Sequence, residues 1–244
     1  MKKIKSVDDI ADLGDILCIF AHPDDETYLC GGIMALAVAN GQGVACVTAT
    51  KGEAGIPPGS DWSHEHCGEV RAQELKSALK ILDIHNHHWL GYTDGTCRKV
   101  DDAEAVAQLV SYINEYKPDS ILTFASDGLT GHADHQTVSR WATLAAKQSG
   151  HPVVIYQAAT AEEHYKNYLK EADKKLNIYF NIDKPKLTSM KDCDICLELP
   201  ENAAEMKYEA LKSMPSQTAG MFKNFDKPQL LELIKLETFT VVAD

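Results

Sequence analysis

Apolar runs and polar breaks alternate along the first two thirds of the chain in a strand–helix rhythm. Residues 15–21 (DILCIFA) and 44–49 (VACVTA) are short apolar runs of buried-strand type. Between them lie a helical stretch at 27–40 and the break Gly41-Gln42-Gly43. Over 64–83, Leu75, Ala78, Leu79 and Leu82 recur at helical spacing, and a third strand ends at 88–90. Asp101 with Glu104 has the form of a capping box, and Val106, Leu109, Val110 and Ile113 carry the next helical stripe until Pro118 stops it. A strand at 121–124, a helix at about 134–148 and a strand at 153–156 follow. Beyond residue 160 the pattern loosens into strands near 177–183 and 193–199, a helix near 201–213 and a last strand near 238–243.

This alternation predicts an α/β fold, a three-layer sandwich with a mostly parallel sheet between helices. Ligands of such sheets bind beyond the carboxyl ends of the strands. No repeat or long linker divides the chain, so 1–244 reads as one domain, with the part from about 160 completing the substrate pocket.

Composition narrows the partners. At 44% hydrophobic, 25% charged and net charge −12, the chain is globular in type and too acidic to favour nucleic acid or an anionic membrane. The basic start at residues 1–5 runs into Ser6 to Asp9 instead of an apolar core, so it does not read as a secretory signal. The apolar runs fall short of the ~20 residues of a spanning helix. Seven scattered cysteines form no disulfide framework and point to a reducing cytoplasm. Cys193 and Cys196 have CxxC spacing but no second pair; Cys193, Ile195, Leu197 and Leu199 read as one face of a strand.

The candidate chemistry sits at two strand ends. The first strand runs into His22-Pro23-Asp24-Asp25-Glu26, where so many ionisable groups are costly unless paired or bound to a cation. The loop after the fourth strand supplies His132-Ala133-Asp134-His135, whose two imidazoles share a helical face. Two histidines and a carboxylate with open positions form the ligand set of catalytic zinc hydrolases and non-haem iron sites. His22, Asp25 and His135 fit that set, leaving Asp24 to take a proton from a water whose pKa the metal lowers to roughly 7. His132 falls where it would stabilise an oxyanion or donate a proton, and Glu26 and Asp134 could orient the imidazoles.

These motifs and their order resemble the LmbE/PIG-L family of metal-dependent de-N-acetylases. The carrying segments are AHPDDETYLCGG (21–32), VTATKGEAG (47–55), VRAQELKSALKIL (70–82), WLGYTDG (89–95), KPDSILTFASDGLTGHADHQTV (117–138) and KYEALKSMPSQ (207–217). The resemblance implies a Rossmann-like fold, a zinc ion or in some members iron, and removal of acetyl from an N-acetylglucosamine-type sugar or its conjugate. It implies His22, Asp25 and His135 as metal ligands, Asp24 as general base and His132 as transition-state stabiliser. It further implies Arg71 and Asp94 as substrate contacts, a small-molecule substrate and a homo-oligomer. Two positions depart from the pattern: Met214 stands where many members carry histidine, and Thr130 where some carry tyrosine. A metal-binding domain without hydrolytic activity, or a metal-dependent hydrolase of another amide or ester, is the competing reading.

Overall fold

The structure is a computed structural model and describes residues 3–242. Its central sheet contains β1 (Ile16–Phe20), β2 (Val44–Thr50), β3 (Asn86–Tyr92), β4 (Ser120–Thr123) and β5 (Val154–Ala158), all parallel. Their spatial order is β3-β2-β1-β4-β5. Every residue of β1, β2 and β4 is buried, as expected for strands covered on both faces. The connecting helices are α1 (Asp25–Ala39), α2 (His64–Ile81), α3 (Asp102–Tyr116) and α4 (Ala133–Ser149). The chain order reverses between β1 and β4, so the loops leaving these two strands flank the crevice where α/β sheets bind ligands. The fold class is the one the alternation predicts.

The structure departs from expectation at three places, two of them in the last third. Residues 177–183 form turns, not a strand. A helical segment precedes them: after β6 (Thr160–Ala161) come α5 (Glu162–His164), a π-helical turn over Tyr165–Leu169 and α6 (Lys170–Leu176). Asn177, at φ 53°, ends α6, and the Tyr179 amide donates to the Asp173 carboxylate at 3.0 Å. The aromatic run is therefore tied back to the helix instead of joining a sheet. After β7 (Leu187–Thr188), β8 (Ile195–Glu198) and α7 (Glu201–Lys212), two helices follow that the pattern did not reveal, α8 (Pro215–Asn224) and α9 (Lys227–Ile234). The third difference is local: Asp101 caps α3 by accepting from the Ala103 amide, but Glu104 reaches the Tyr92 hydroxyl, so there is a cap and no box.

β9 (Leu236–Val241) returns antiparallel to β5 and pairs antiparallel with β8 at the sheet edge. Residue 243 of the expected last strand, like Met1 and Lys2 of the basic start, lies outside the described residues. Cys193, Ile195, Leu197 and Leu199 are all buried, as one strand face requires. One cluster of buried apolar side chains extends from Ile4 to Phe239. No helix among the described residues is long and apolar enough to cross a membrane.

A buried ion pair shapes α1. The helix breaks at Cys30 (φ −144°, ψ 20°), and the Gly32 and Ile33 amides donate to the Glu237 carboxylate at 2.8 and 2.7 Å. Lys207 of α7 donates to the same carboxylate at 2.7 Å, and both side chains are fully enclosed. Glu237 thus serves as an N-terminal cap for the second half of α1, supplied by a distant strand.

Candidate metal centre

The two motif-bearing loops meet above the carboxyl ends of β1 and β4. His22 Nδ1 lies 3.2 Å from His135 Nε2. Each of these nitrogens lies 3.4 Å from an oxygen of the Asp25 carboxylate. Two nitrogen or oxygen ligands of a tetrahedral zinc, each about 2.0–2.1 Å from the ion, stand about 3.3–3.4 Å apart. The three separations are of that size, with the Asp25 carboxylate turning Oδ2 to His22 and Oδ1 to His135. Two imidazole nitrogens and a carboxylate at such separations repel or share a proton unless a cation lies between them, so the residues present fit a divalent metal.

Each of these three candidate ligands is held from behind. The His22 amide donates to Asp25 Oδ2 at 2.7 Å, which fixes the carboxylate. His135 Nδ1 meets the Gly128 carbonyl at 3.0 Å, and its ring stacks on Phe124 with centroids 4.0 Å apart. That bond places the His135 proton on Nδ1 and turns the Nε2 lone pair inward. His22 Nε2 points the other way, to Asp94 Oδ1 at 3.0 Å and Asp134 Oδ2 at 3.5 Å. These are ion-pair contacts without the alignment of a hydrogen bond. Asp134 also accepts from the Gly95 and Cys97 amides, and Asp94 from the Ala54 amide. Both carboxylates therefore buttress His22 on the side away from Asp25. Glu26 turns aside and accepts from Thr27 and from the Asp24 amide.

His132 is the N-cap of α4, and its Nδ1 accepts the Asp134 amide at 3.2 Å. An accepting Nδ1 implies a neutral ring with its proton on Nε2. Burial first, and the neighbouring His22 second, lower the His132 pKa from its ordinary value, which also favours the neutral ring. The His132 nitrogen lies within 4.8 Å of those of His22 and His135, but the 3.2–3.4 Å edges belong to Asp25. His132 is nonetheless close enough to the same point to be a further candidate ligand.

Asp24 occupies a strained turn, with φ 114° and ψ −32°, a conformation that costs a non-glycine residue about 1–3 kcal/mol. Burial pushes its carboxyl up to about 7, although Arg71 pulls in the opposite direction. Arg71, also buried, donates from Nη2 to the Pro23 carbonyl and from Nη1 to the Gly52 carbonyl, both at 2.7 Å. Its Nε has no partner among the described residues.

The cavity over these groups takes in His22, Asp24, Asp25, Arg71, Asp94, Thr130, His132 and His135. All seven residues proposed from the motifs are therefore together, with Asp94 against His22. Thr130 lies 3.5 Å from His135 Nδ1, whereas Met214 is core. Tyr28, Met221 and Gln217 line the cavity and were not singled out from the motifs. Tyr28 was within reach of sequence reasoning, since it lies one helical turn beyond Asp24. Gln217 closes the resemblance segment 207–217, whereas Met221 carried no such signal, because α8 itself was not foreseen.

A parallel sheet with a metal-competent histidine–carboxylate set at its switch point defines the class of protein. The chain belongs to the PIG-L family, whose profile, described as GlcNAc-PI de-N-acetylase, matches residues 17–146. A 1D-myo-inositol 2-acetamido-2-deoxy-alpha-D-glucopyranoside deacetylase of Streptomyces avermitilis is 34% identical over 175 residues, 63% of this chain and 60% of that protein. The chain thus spans less than two thirds of that relative. A protein of the same description from Saccharomonospora viridis is 28% identical over 83% of this chain and 84% of its own. Among solved structures, N,N'-diacetylchitobiose deacetylase from Pyrococcus horikoshii superposes with a TM-score of 0.67 at 19% identity, covering 97% of this chain and 86% of its own. That likeness is one of fold.

Proposed function

We propose that the protein is a metal-dependent hydrolase that removes the N-acetyl group from an N-acetylglucosamine-type sugar or its conjugate. The observation that carries this reading is the convergence of His22, His135 and Asp25, with the two imidazole nitrogens 3.2 Å apart and each 3.4 Å from one of the two Asp25 oxygens, beside Asp24 and His132. Membership of the PIG-L family and the deacetylase descriptions of its relatives support it. His22, Asp25 and His135 would hold a zinc or ferrous ion, which would supply Lewis acidity and make water acidic enough to lose a proton near neutral pH.

The chain's own groups do the rest. Asp24 accepts the proton of the attacking water, its carboxyl being poised near neutral pH. His132 donates its Nε2–H to the acetyl oxygen as negative charge develops there. Asp24 then returns its proton to the departing amine, which leaves as the free amino sugar with acetate as co-product. Arg71 lines the cavity as a candidate sugar contact, while its Nη2 holds the Asp24 turn through the Pro23 carbonyl and the Asp24 carboxylate. A reducing cytoplasmic setting belongs to the same reading, supported by seven free, buried cysteines. So does homo-oligomerisation, which light scattering tests.

The test is release of primary amine from a panel of N-acetylglucosamine derivatives, with chelation and zinc re-addition. The reading predicts release that chelation abolishes and zinc restores. Failure of every derivative in the zinc-loaded protein overturns it.

A further inference from the structure

The cavity does not end at the metal centre. Its volume is 940 Å³, near the upper end of the ~300–1,000 Å³ usual for small-molecule sites. The far branch is built by the C-terminal third of the chain. Tyr28 joins the two ends: it lies one helical turn beyond Asp24, and its hydroxyl contacts Met221 Sδ at 4.0 Å. Leu176 and Met221 both line the cavity, and a Cβ on Gly220, the residue before Met221, would stand 3.9 Å from Leu176 Cδ2. Leu169 and Ile178 line the branch, and Phe180 lines it while 65% exposed, which puts it at the opening. The same segment reaches the histidine loop, since a Cβ on Gly131 would stand 2.4 Å from Ile182 Cγ2.

Several polar side chains on this branch are already engaged. His164 Nε2 is bonded to the Leu233 carbonyl at 3.1 Å, and Thr238 donates to the Ala159 carbonyl at 2.6 Å. Lys207 and Glu237 bind each other at 2.7 Å. A hydroxyl-rich or charged group entering here would lose its hydration with few partners to replace it. A hydrocarbon would gain from leaving water against Tyr28, Leu169, Leu176, Ile178 and Met221.

We infer that the sugar substrate carries an apolar aglycone and that this branch binds it. The inference rests on the deacetylase reading for the position of the sugar, and on the lining of the branch for the chemistry of the aglycone.

The test compares methyl, butyl and octyl N-acetylglucosaminides with N,N'-diacetylchitobiose, all below micellar concentration. Calorimetry on the chelated protein reads binding, and amine release by the zinc-loaded protein reads turnover. Each methylene that enters the branch should tighten binding about fourfold, equivalent to ~0.8 kcal/mol. The butyl glycoside should therefore bind more than tenfold tighter than the methyl glycoside, the octyl tighter still and with negative heat-capacity change, and the disaccharide no better than the methyl. Phe180→Ser at the opening and Met221→Gln in the wall should each shrink the octyl-to-methyl ratio at least threefold; the exposed position of Phe180 keeps one variant free of folding effects.

Methyl and octyl glycosides within twofold of each other, a disaccharide that binds better than the octyl glycoside, or no octyl binding overturns the inference. Chain-length-dependent binding without any amine release supports the branch and refutes the deacetylase reading. Equal release at every chain length, with equal binding, refutes the branch alone.

Discussion

The Asp24 carboxylate lies 3.4 Å from Nη2 of Arg71, and the same guanidinium is bonded to the carbonyl of Pro23, the residue before Asp24. Arg71 therefore holds both the charge and the backbone of the strained turn that presents the proposed base. Burial raises the Asp24 carboxyl to about 7 against the pull of this arginine, and a general base works best with a pKa near the working pH. Asp24→Asn should retain one metal per chain and lose ~10²- to 10⁴-fold in kcat. Metal content and initial rates on the same sample check this; a loss below tenfold would give the proton transfer to another group.

The guanidinium also depends on a glycine. Gly52 has φ +65°, and a Cβ there would stand 2.3 Å from Arg71 Cζ. Gly52→Ala should displace Arg71, destabilise the fold by about 1–3 kcal/mol and depress turnover while metal binding persists. Urea unfolding alongside metal analysis separates these effects, and wild-type turnover in the folded variant would show that Arg71 does not support the base.

The metal-free site holds a proton where the cation fits. Burial opposes charge on His22, but Asp134, Asp25 and Asp94 outweigh it and raise its pKa well above the ordinary value. A raised folded pKa means that this proton stabilises the metal-free fold fully below about pH 6.5, and the contribution is lost as pH rises through the folded value. Metal requires the same Nδ1 unprotonated, so zinc binding near neutral pH should release about one proton per ion. The rise in Tm on adding zinc should accordingly grow from about pH 6 to about pH 8. Thermal melts across this range, with proton release in weak buffer, check it; a pH-independent increment contradicts the assignment of His22.

Asp94 and Asp134 act on His22 Nε2 from the outer side. Outer carboxylates of this kind typically contribute 10- to 100-fold to metal affinity. Asp94→Ala should weaken zinc binding by about that factor, measured by chelator competition. Unchanged zinc affinity with a raised KM would instead make Asp94 a substrate contact.

Lys207 and Glu237 pair at 2.7 Å with both side chains enclosed. Lys207→Met should cost about 3–5 kcal/mol by leaving a buried carboxylate uncompensated. Lys207→Met with Glu237→Gln should recover part of that loss, as denaturant unfolding of both variants would show. Equal stability of the single variant and wild type would mean that the Gly32 and Ile33 amides alone satisfy Glu237.

The parallel core was readable because buried strands and amphipathic helices have different periods, and residues 15–156 follow them cleanly. The candidate site was readable because its charges cluster just after the first apolar strand, at Asp24, and in the loop that leads from the fourth strand to His132, where charge without a partner is costly. The C-terminal third was not. The run around Tyr179 has strand composition but is anchored to Asp173, a tertiary choice that local propensity does not encode. α9 carried a readable signature in the Asp226–Gln229 capping box, which its short apolar stripe obscured. The support that Arg71 gives Asp24, and the reach of Glu237 into α1, join residues far apart in sequence; no local pattern reports them.

The most direct measurement is a titration of the chelated protein with zinc, following acetate release from an N-acetylglucosaminide against metal added per chain. The account predicts no release at zero metal, a linear rise to a break at about one ion per chain and no rise in His135→Ala. Release without metal, or full release in His135→Ala, would contradict it.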